Sequence, residues 1–398
     1  MKKRIPVSAF VLFLMFFINS AISSYPKFAA LTGEKCQSCH INPTGGGMRN
    51  QYGLKYSKDN LYLKFLEKAN KTTDINTQIT KGISVGGDMR FLFVDDQVGE
   101  GFPNFNTFFQ MQGDLYINAQ VNKYISLMIA PGLYIPNTYS TSPLSTKYEI
   151  FGMVSNLPAG LYFKVGRFIP NFGIKLPEHR SYNRIYNDLY TPYASDAGIE
   201  AGISPDFGNS SLTLTAAISN GSSTNAAFQT NNSFDFDNQR QFTSSMDFRW
   251  ASNKNKYAVG IGGSFLNNPY KYDPSNNINA LKQALGGRIA LGFFERAALL
   301  GELTYSRLEI TDSAASKFDQ RVIFGEIDIR IVKGLELKGQ FEDFDPKNTE
   351  GNRRRISIGA IIYPLTGLEI ESIFRIVQEP DESEIKNDEF QTVIKFYF

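Results

Sequence analysis

The chain has 398 residues, with 41 Lys and Arg against 39 Asp and Glu, a net charge of +2 and a mean hydropathy of −0.25. Near-neutrality argues for no nucleic-acid partner. Aromatic residues are abundant, 33 Phe and 20 Tyr beside one Trp, while Cys and His number only two each. That leaves little room for a zinc site or a proton-transfer enzyme.

Lys2, Lys3 and Arg4 precede an apolar run from Val7 to Ile18, and Ala21-Ile22-Ser23 supplies small residues at the −3 and −1 positions. This pattern predicts a secretory leader over residues 1–23, cleaved after Ser23. The apolar run is too short to span a bilayer comfortably, and no later stretch has the length and apolarity of a transmembrane helix. The mature chain is therefore expected outside the cytoplasm.

Cys36-Gln37-Ser38-Cys39-His40 holds both cysteines and one of the two histidines. C-x-x-C-H is the attachment motif of c-type haem: two thiols form thioethers with the vinyl groups, and the adjacent imidazole ligates the iron. A zinc site needs about four ligands, and a thioredoxin-type dithiol needs a βαβ context that is absent here. One covalent haem c on Cys36 and Cys39, with His40 axial, is the expectation. The motif lies in a module spanning 24–70. In it Pro26 starts a helix, Phe28 and Leu31 are placed to pack on the haem plane, and Gly45-Gly46-Gly47 passes close to the macrocycle. Ser57 is a candidate N-cap for a helix to Asn70, with Leu61 and Phe65 at i,i+4 spacing. Residues 71–81 read as a linker. So small a module buries a haem poorly by itself, and a place at the periplasmic mouth of a wide lumen would shelter it.

From residue 82 to 398 the sequence breaks into period-two segments. Ile323, Ile327, Ile329 and Ile331 alternate with Phe324, Glu326, Asp328 and Arg330, and Leu368, Ile370, Phe374 and Ile376 alternate with Glu369, Glu371 and Arg375. Leu115, Ile117, Ala119 and Val121 alternate in the same way with Tyr116, Asn118 and Gln120. One face suits lipid and the other a wet lumen. Sixteen segments are predicted, starting near residues 82, 107, 123, 146, 160, 196, 210, 241, 255, 280, 295, 318, 334, 353, 366 and 388. Short turns such as Lys333-Gly334 alternate with long loops, the longest being 169–195. The fold class expected is mainly β: an antiparallel transmembrane β-barrel of about sixteen strands with a small N-terminal helical haem module. An even strand number puts both chain ends in the periplasm. Phe390, Thr392, Ile394, Phe396 and Phe398 share one face and resemble the terminal strand of outer-membrane proteins.

A leader, one CxxCH near the mature N-terminus and a porin-like barrel together resemble the fused outer-membrane cytochrome c–porins. The best-known members of that family oxidise extracellular ferrous iron. The resemblance covers nearly the whole chain in layout and rests specifically on Cys36, Cys39 and His40. Gly33-Glu34-Lys35 stands where the iron oxidases carry Ala- and Pro-containing residues. The resemblance implies an outer-membrane electron carrier, in contact with outer-membrane lipid, working between an extracellular donor or acceptor such as Fe²⁺ and a periplasmic c-type cytochrome. The alternative is a solute-conducting porin whose haem module is a plug, sensor or docking element.

Two residues are candidates for the sixth iron ligand. Met48 lies eight residues past His40 and would raise the potential, though it reads equally as a core methionine. His179 sits in the 169–195 loop, which the resemblance implies folds into the lumen. Arg180, Arg184, Tyr182, Tyr186, Tyr190 and Tyr193 would line that lumen. Acidic residues cluster at Asp95, Asp96 and Glu100, at Glu342, Asp343, Asp345 and Glu350, and at Glu379, Asp381, Glu382, Glu384 and Asp388. They read either as a cation-collecting face or as a solvated surface for lipopolysaccharide-bridging ions.

Overall fold

The computed structural model describes residues 27–72, 75–96, 105–133, 148–178, 180–187, 195–221, 238–252, 256–273, 278–311, 316–347, 351–380 and 388–398. Sixteen antiparallel strands, from Ile83–Asp96 to Glu389–Tyr397, pair in sequence order. The last pairs with the first, Glu389 opposite Asp96 and Tyr397 opposite Asp88, which closes the sheet. The strands begin at 83, 105, 125, 148, 162, 196, 210, 241, 257, 278, 297, 316, 335, 353, 368 and 389. Each start lies within two residues of the expected one. Closure matters because a spanning sheet with a free edge would leave backbone donors and acceptors unpaired in hydrocarbon.

The alternation sets the two faces as expected. Ile327, Ile329 and Ile331 are exposed on the outer wall, whereas Glu326 and Asp328 are buried on the inner one. Phe390, Phe396 and Phe398 also point outward. At the short-turn end the backbone reverses on left-handed residues, Phe294 and Glu295 (φ 52° and 54°) and Gly334 (φ 84°). Hairpin turns of this kind match the twist of their strands.

Two short strands are additional to the barrel. Gln78–Thr80 pairs with the first barrel strand, and Asp206–Phe207 pairs with Ser210 and Ser211. The expected 71–81 linker is therefore partly ordered: it holds the end of a helix and this strand.

The N-terminal module consists of helices α1 (Lys27–Thr32), α2 (Cys36–Cys39), α3 (Gln51–Asn60) and α4 (Glu67–Thr72), with a 3₁₀ turn at Lys64–Leu66. One expectation is corrected here. Asn50, not Ser57, caps the helix, accepting a hydrogen bond from the Gly53 amide at 3.0 Å. Ser57 lies inside α3, and its hydroxyl is 2.7 Å from that of Tyr397. Leu61 ends α3 in a non-helical conformation, so Leu61 is buried while Phe65 is exposed instead of sharing its face. Pro26 lies outside the described residues.

The module sits within the short-turn end of the barrel. Ala30 and Leu31 of α1 are buried against Ala290, Ala298, Leu300 and Phe324 of the wall. Tyr62 and Leu63 lie over Gly334 so closely that a Cβ there would collide with their backbone. The Asn70 carboxamide oxygen accepts from the Thr366 amide and hydroxyl at 2.9 and 2.7 Å. From the strand at Tyr162–Phe168, residues 169–178 and 180–187 also turn inward and carry a short helix α5 (Tyr182–Ile185). Phe172, Ile174 and Leu176 are buried, and Ile174 and Leu176 meet α1 directly.

Candidate functional site

The CxxCH segment is held by a hairpin and a helix crossing. His40 bridges Arg49, the Ile41 amide donates to the Met48 carbonyl at 3.1 Å, and the Asn50 amide donates to the Cys39 carbonyl at 2.9 Å. The Asn50 carboxamide also donates to the carbonyls of Gln37 and Ser38 at 3.2 and 3.0 Å, so one side chain caps α3 and fastens α2. The hairpin reverses through Gly45, Gly46 and Gly47 at φ of 79°, 76° and 63°, a run open only to glycine without strain. A Cβ on Gly45 would stand 3.2 Å from Cys36 Sγ. At Gly53 α3 crosses α2, and a Cβ there would strike the Cys39 carbonyl.

Cys36 and Cys39 lie on the same short helix, with no disulfide between them. Burial pushes both thiols up from their ordinary value, and for Cys39 the charge of Glu34 adds to it. His40 is shifted down to about 4, first by burial and then by the Arg49 charge, against the carbonyls of Gly47 and Met48. The imidazole is thus neutral, the form that ligates a metal. Its Nδ1 is buried without a hydrogen-bond partner, an unmet donor or acceptor of the kind a bound group satisfies.

Cavities surround this histidine. An inner cavity of about 230 Å³ extends from His40, Met48 and Phe28 to Leu176, Pro177 and Arg184 of the inward segment. A side cavity of about 110 Å³ is lined by both thiols, His40, Phe28, Tyr52, Tyr56 and Leu61. A more open cleft of about 630 Å³ runs from His40 to the short-turn end, past Gln37, Lys81 and Asn156. Two thiols, a neutral imidazole with an orphaned nitrogen, a glycine cradle and an aromatic-lined space form a donor set that fits a covalent haem.

Phe28 lines the cavities as expected, but Leu31 does not: it faces away, into the α1–wall contact. Met48 lines the inner cavity and is also packed among Tyr116, Met128, Phe151, Met153 and Phe168. His179 lies outside the described residues. Its neighbours are fixed to the opposite wall: Glu178 meets Arg375 at 2.9 Å and Gln391 at 3.0 Å, and Arg180 pairs with Glu389. Burial alone would raise the Glu178 carboxyl, but the Arg375 charge, then Gln391 and the Arg180 amide, hold it well below the usual carboxylate range.

The predicted lumen lining is realised in part. Arg184 lines the inner cavity, Tyr182 lies under the Arg355 guanidinium at 4.1 Å, and Tyr186 stacks on Phe344 at 3.5 Å. Tyr190 and Tyr193 lie outside the described residues. The acidic cluster at 342–345 is not free to collect cations. Glu342 pairs with Arg355 at 2.6 Å, and Asp343 pairs with Arg321 and Arg354 at 3.0 and 2.7 Å. Among the described residues no group of three acidic, His or Cys side chains is placed to hold a metal ion. Glu100, Glu350, Asp381, Glu382 and Glu384 lie outside the described residues.

Arg49, Lys175 and Lys395 also line the inner cavity and were not singled out from the sequence. For Lys395 a signal existed, since it alternates with the outward Ile394 and Phe396. Arg49 carries none outside the fold.

No family model and no curated relative matches the chain. Solved structures do resemble it. OprB of Pseudomonas putida aligns at 10% identity over 80% of this chain and 94% of its own, with a TM-score of 0.54. OmpT of Vibrio cholerae, an outer-membrane protein, aligns at 10% identity over 81% and 100%, TM-score 0.51. An anion-selective porin from Comamonas acidovorans aligns at 9% identity over 79% and 99%, TM-score 0.51. At such identities the likeness carries the fold: a porin-like, closed, sixteen-stranded barrel.

Proposed function

We propose that this chain is a haem-bearing, porin-like barrel of the outer membrane that exchanges electrons at the mouth of its own lumen. The carrying observation is the position of His40, half-buried and neutral between an inner cavity and a cleft open at the short-turn end. Cys36 and Cys39 tether the group, and His40 ligates its iron. The three glycines let the chain pass close, while Phe28 and Tyr56 give the space beside the thiols an aromatic lining. When bound, haem c supplies one-electron transfer. The open cleft admits a soluble periplasmic c-type cytochrome from the short-turn side. An external donor or acceptor, with Fe²⁺ the first to test, approaches from the other. One haem cannot cover a hydrocarbon core about 30 Å thick, so the lumen itself must bring one partner near.

The likeness to porins favours a second reading, solute conduction with the haem module as plug. Against a permanently open pore, the module and residues 169–178 and 180–187 occupy the lumen. The discriminating experiment mixes oxidised, detergent-purified protein anaerobically with Fe²⁺ and follows the visible spectrum, with dithionite as reference. A sharp reduced α-band with Fe²⁺ supports the electron carrier and its iron donor. A band with dithionite alone removes iron as donor. Absence of any c-type band, together with high single-channel conductance, sinks the haem reading and leaves a porin.

A further inference from the structure

The inner and side cavities meet at Phe28, His40, Arg49, Glu369 and Lys395. Arg49 lies over the Tyr397 ring at 4.1 Å and makes no ion pair among the described residues. Lys395 reaches Asp88 and Glu369 only at 3.9 Å each. Asp88 is already engaged by Arg90 through both carboxylate oxygens at 3.0 Å. The junction thus presents two cations, Arg49 and Lys395, beside Glu369, with Glu34 also on the side cavity, and no carboxylate among the described residues pairs with either cation closer than 3.9 Å. Lys35, the other cation of the side cavity, is turned to Asp206 at 2.8 Å. A cation drawn out of water without a close carboxylate gains from an anion that completes it.

We infer that Arg49 and Lys395 hold the propionate carboxylates of the haem. This rests on the haem reading above. The geometry suits it: the thiols line the same side cavity as the two cations, and the vinyl and propionate edges of the macrocycle lie opposite one another. A guanidinium braced on an aromatic ring is a preorganised carboxylate partner. Lys395 adds a second charge from the last strand, so the cofactor also bridges the module to the wall.

The test uses the full-length protein and its Arg49→Gln, Arg49→Lys and Lys395→Gln variants. Heat-modifiable mobility checks that the barrel assembles, and the pyridine haemochrome counts attached haem. In both Gln variants the propionate bending band in resonance Raman should shift and the midpoint potential should fall, because a positive charge that disfavours the oxidised haem is gone. Arg49→Lys should retain most of the wild-type potential, and Lys68→Gln, on the exposed surface of the module, should change neither readout. Attached haem with an unmoved propionate band in both Gln variants would overturn the assignment while sparing the haem reading. Wild-type protein without attached haem would overturn both. If Lys395→Gln fails to assemble, Arg49→Gln, which changes no residue of a barrel strand, decides alone.

Discussion

Two segments fill the same lumen by different physics. The N-terminal module is held by apolar contact, Ala30 and Leu31 against Ala290, Ala298, Leu300 and Phe324, by neutral hydrogen bonds such as Asn70 to Thr366, and by the ion pairs Lys27–Glu336 and Lys35–Asp206 at 2.8 Å each. The inward segment, residues 169–178 and 180–187, is apolar only as far as Leu176. Beyond that it is pinned by charge, through Glu178–Arg375, Arg180–Glu389 and the Tyr182 amide on Glu342 at 2.6 Å. Close apolar packing fixes the seat of α1 on the wall. A strap across a polar wall must satisfy that wall's buried groups, which only polar partners can do.

Four changes test this contrast. The largest effect is expected for Cys36→Ser with Cys39→Ser: complete loss of covalent haem by pyridine haemochrome, in a barrel that still shows heat-modifiable mobility. Haem retained through the extraction of the double variant would break the site assignment. Next, Arg375→Met leaves Glu178 and Glu389 buried without that guanidinium and should cost about 3–5 kcal/mol locally. Single-channel conductance in planar bilayers should rise as the strap is released. Glu178→Gln should raise it far less, because Arg375 keeps Glu389 at 3.0 Å. Equal conductance in the two variants would mean that charge does not pin the strap.

Leu31→Ala should weaken the seating of the module by about 2–5 kcal/mol, the usual range for a buried leucine. Limited proteolysis should then cut within 27–72 faster than in wild type, with haem content unchanged. Unaltered cleavage would show that the polar contacts hold the module instead. The smallest effect concerns pH. The Glu178 carboxyl is depressed, so its stabilising contribution is fully present above the ordinary carboxylate pKa of about 4.3 and is lost only as pH falls through the lower folded value. Conductance should therefore hold constant from neutrality to about pH 4.5, and a rise within that window would remove Glu178 from the latch.

The barrel was legible because a wall between lipid and water imposes period two at every strand. Sixteen starts read from alternation and turn residues fall within two positions of the observed ones. The helices of the module were less legible. Ser57 resembles a cap as well as Asn50 does, and only the crossing at Gly53, with Asn50 bonded to both α2 and α3, decides between them. The acidic stretch at 342–345 looked like a cation-collecting loop because its partners, Arg321, Arg354 and Arg355, come from neighbouring strands.

By itself, the sequence determined the strand number and the two faces of the wall, since each depends on local spacing and residue type. The tertiary structure alone decided that the module enters the barrel mouth and that Leu31 packs on the wall rather than beside His40. It also brought Arg49 and Lys395 to that histidine. Such placements join residues more than 300 positions apart, as in the Ser57–Tyr397 contact, and no local periodicity encodes contacts that exist only once the sheet has closed.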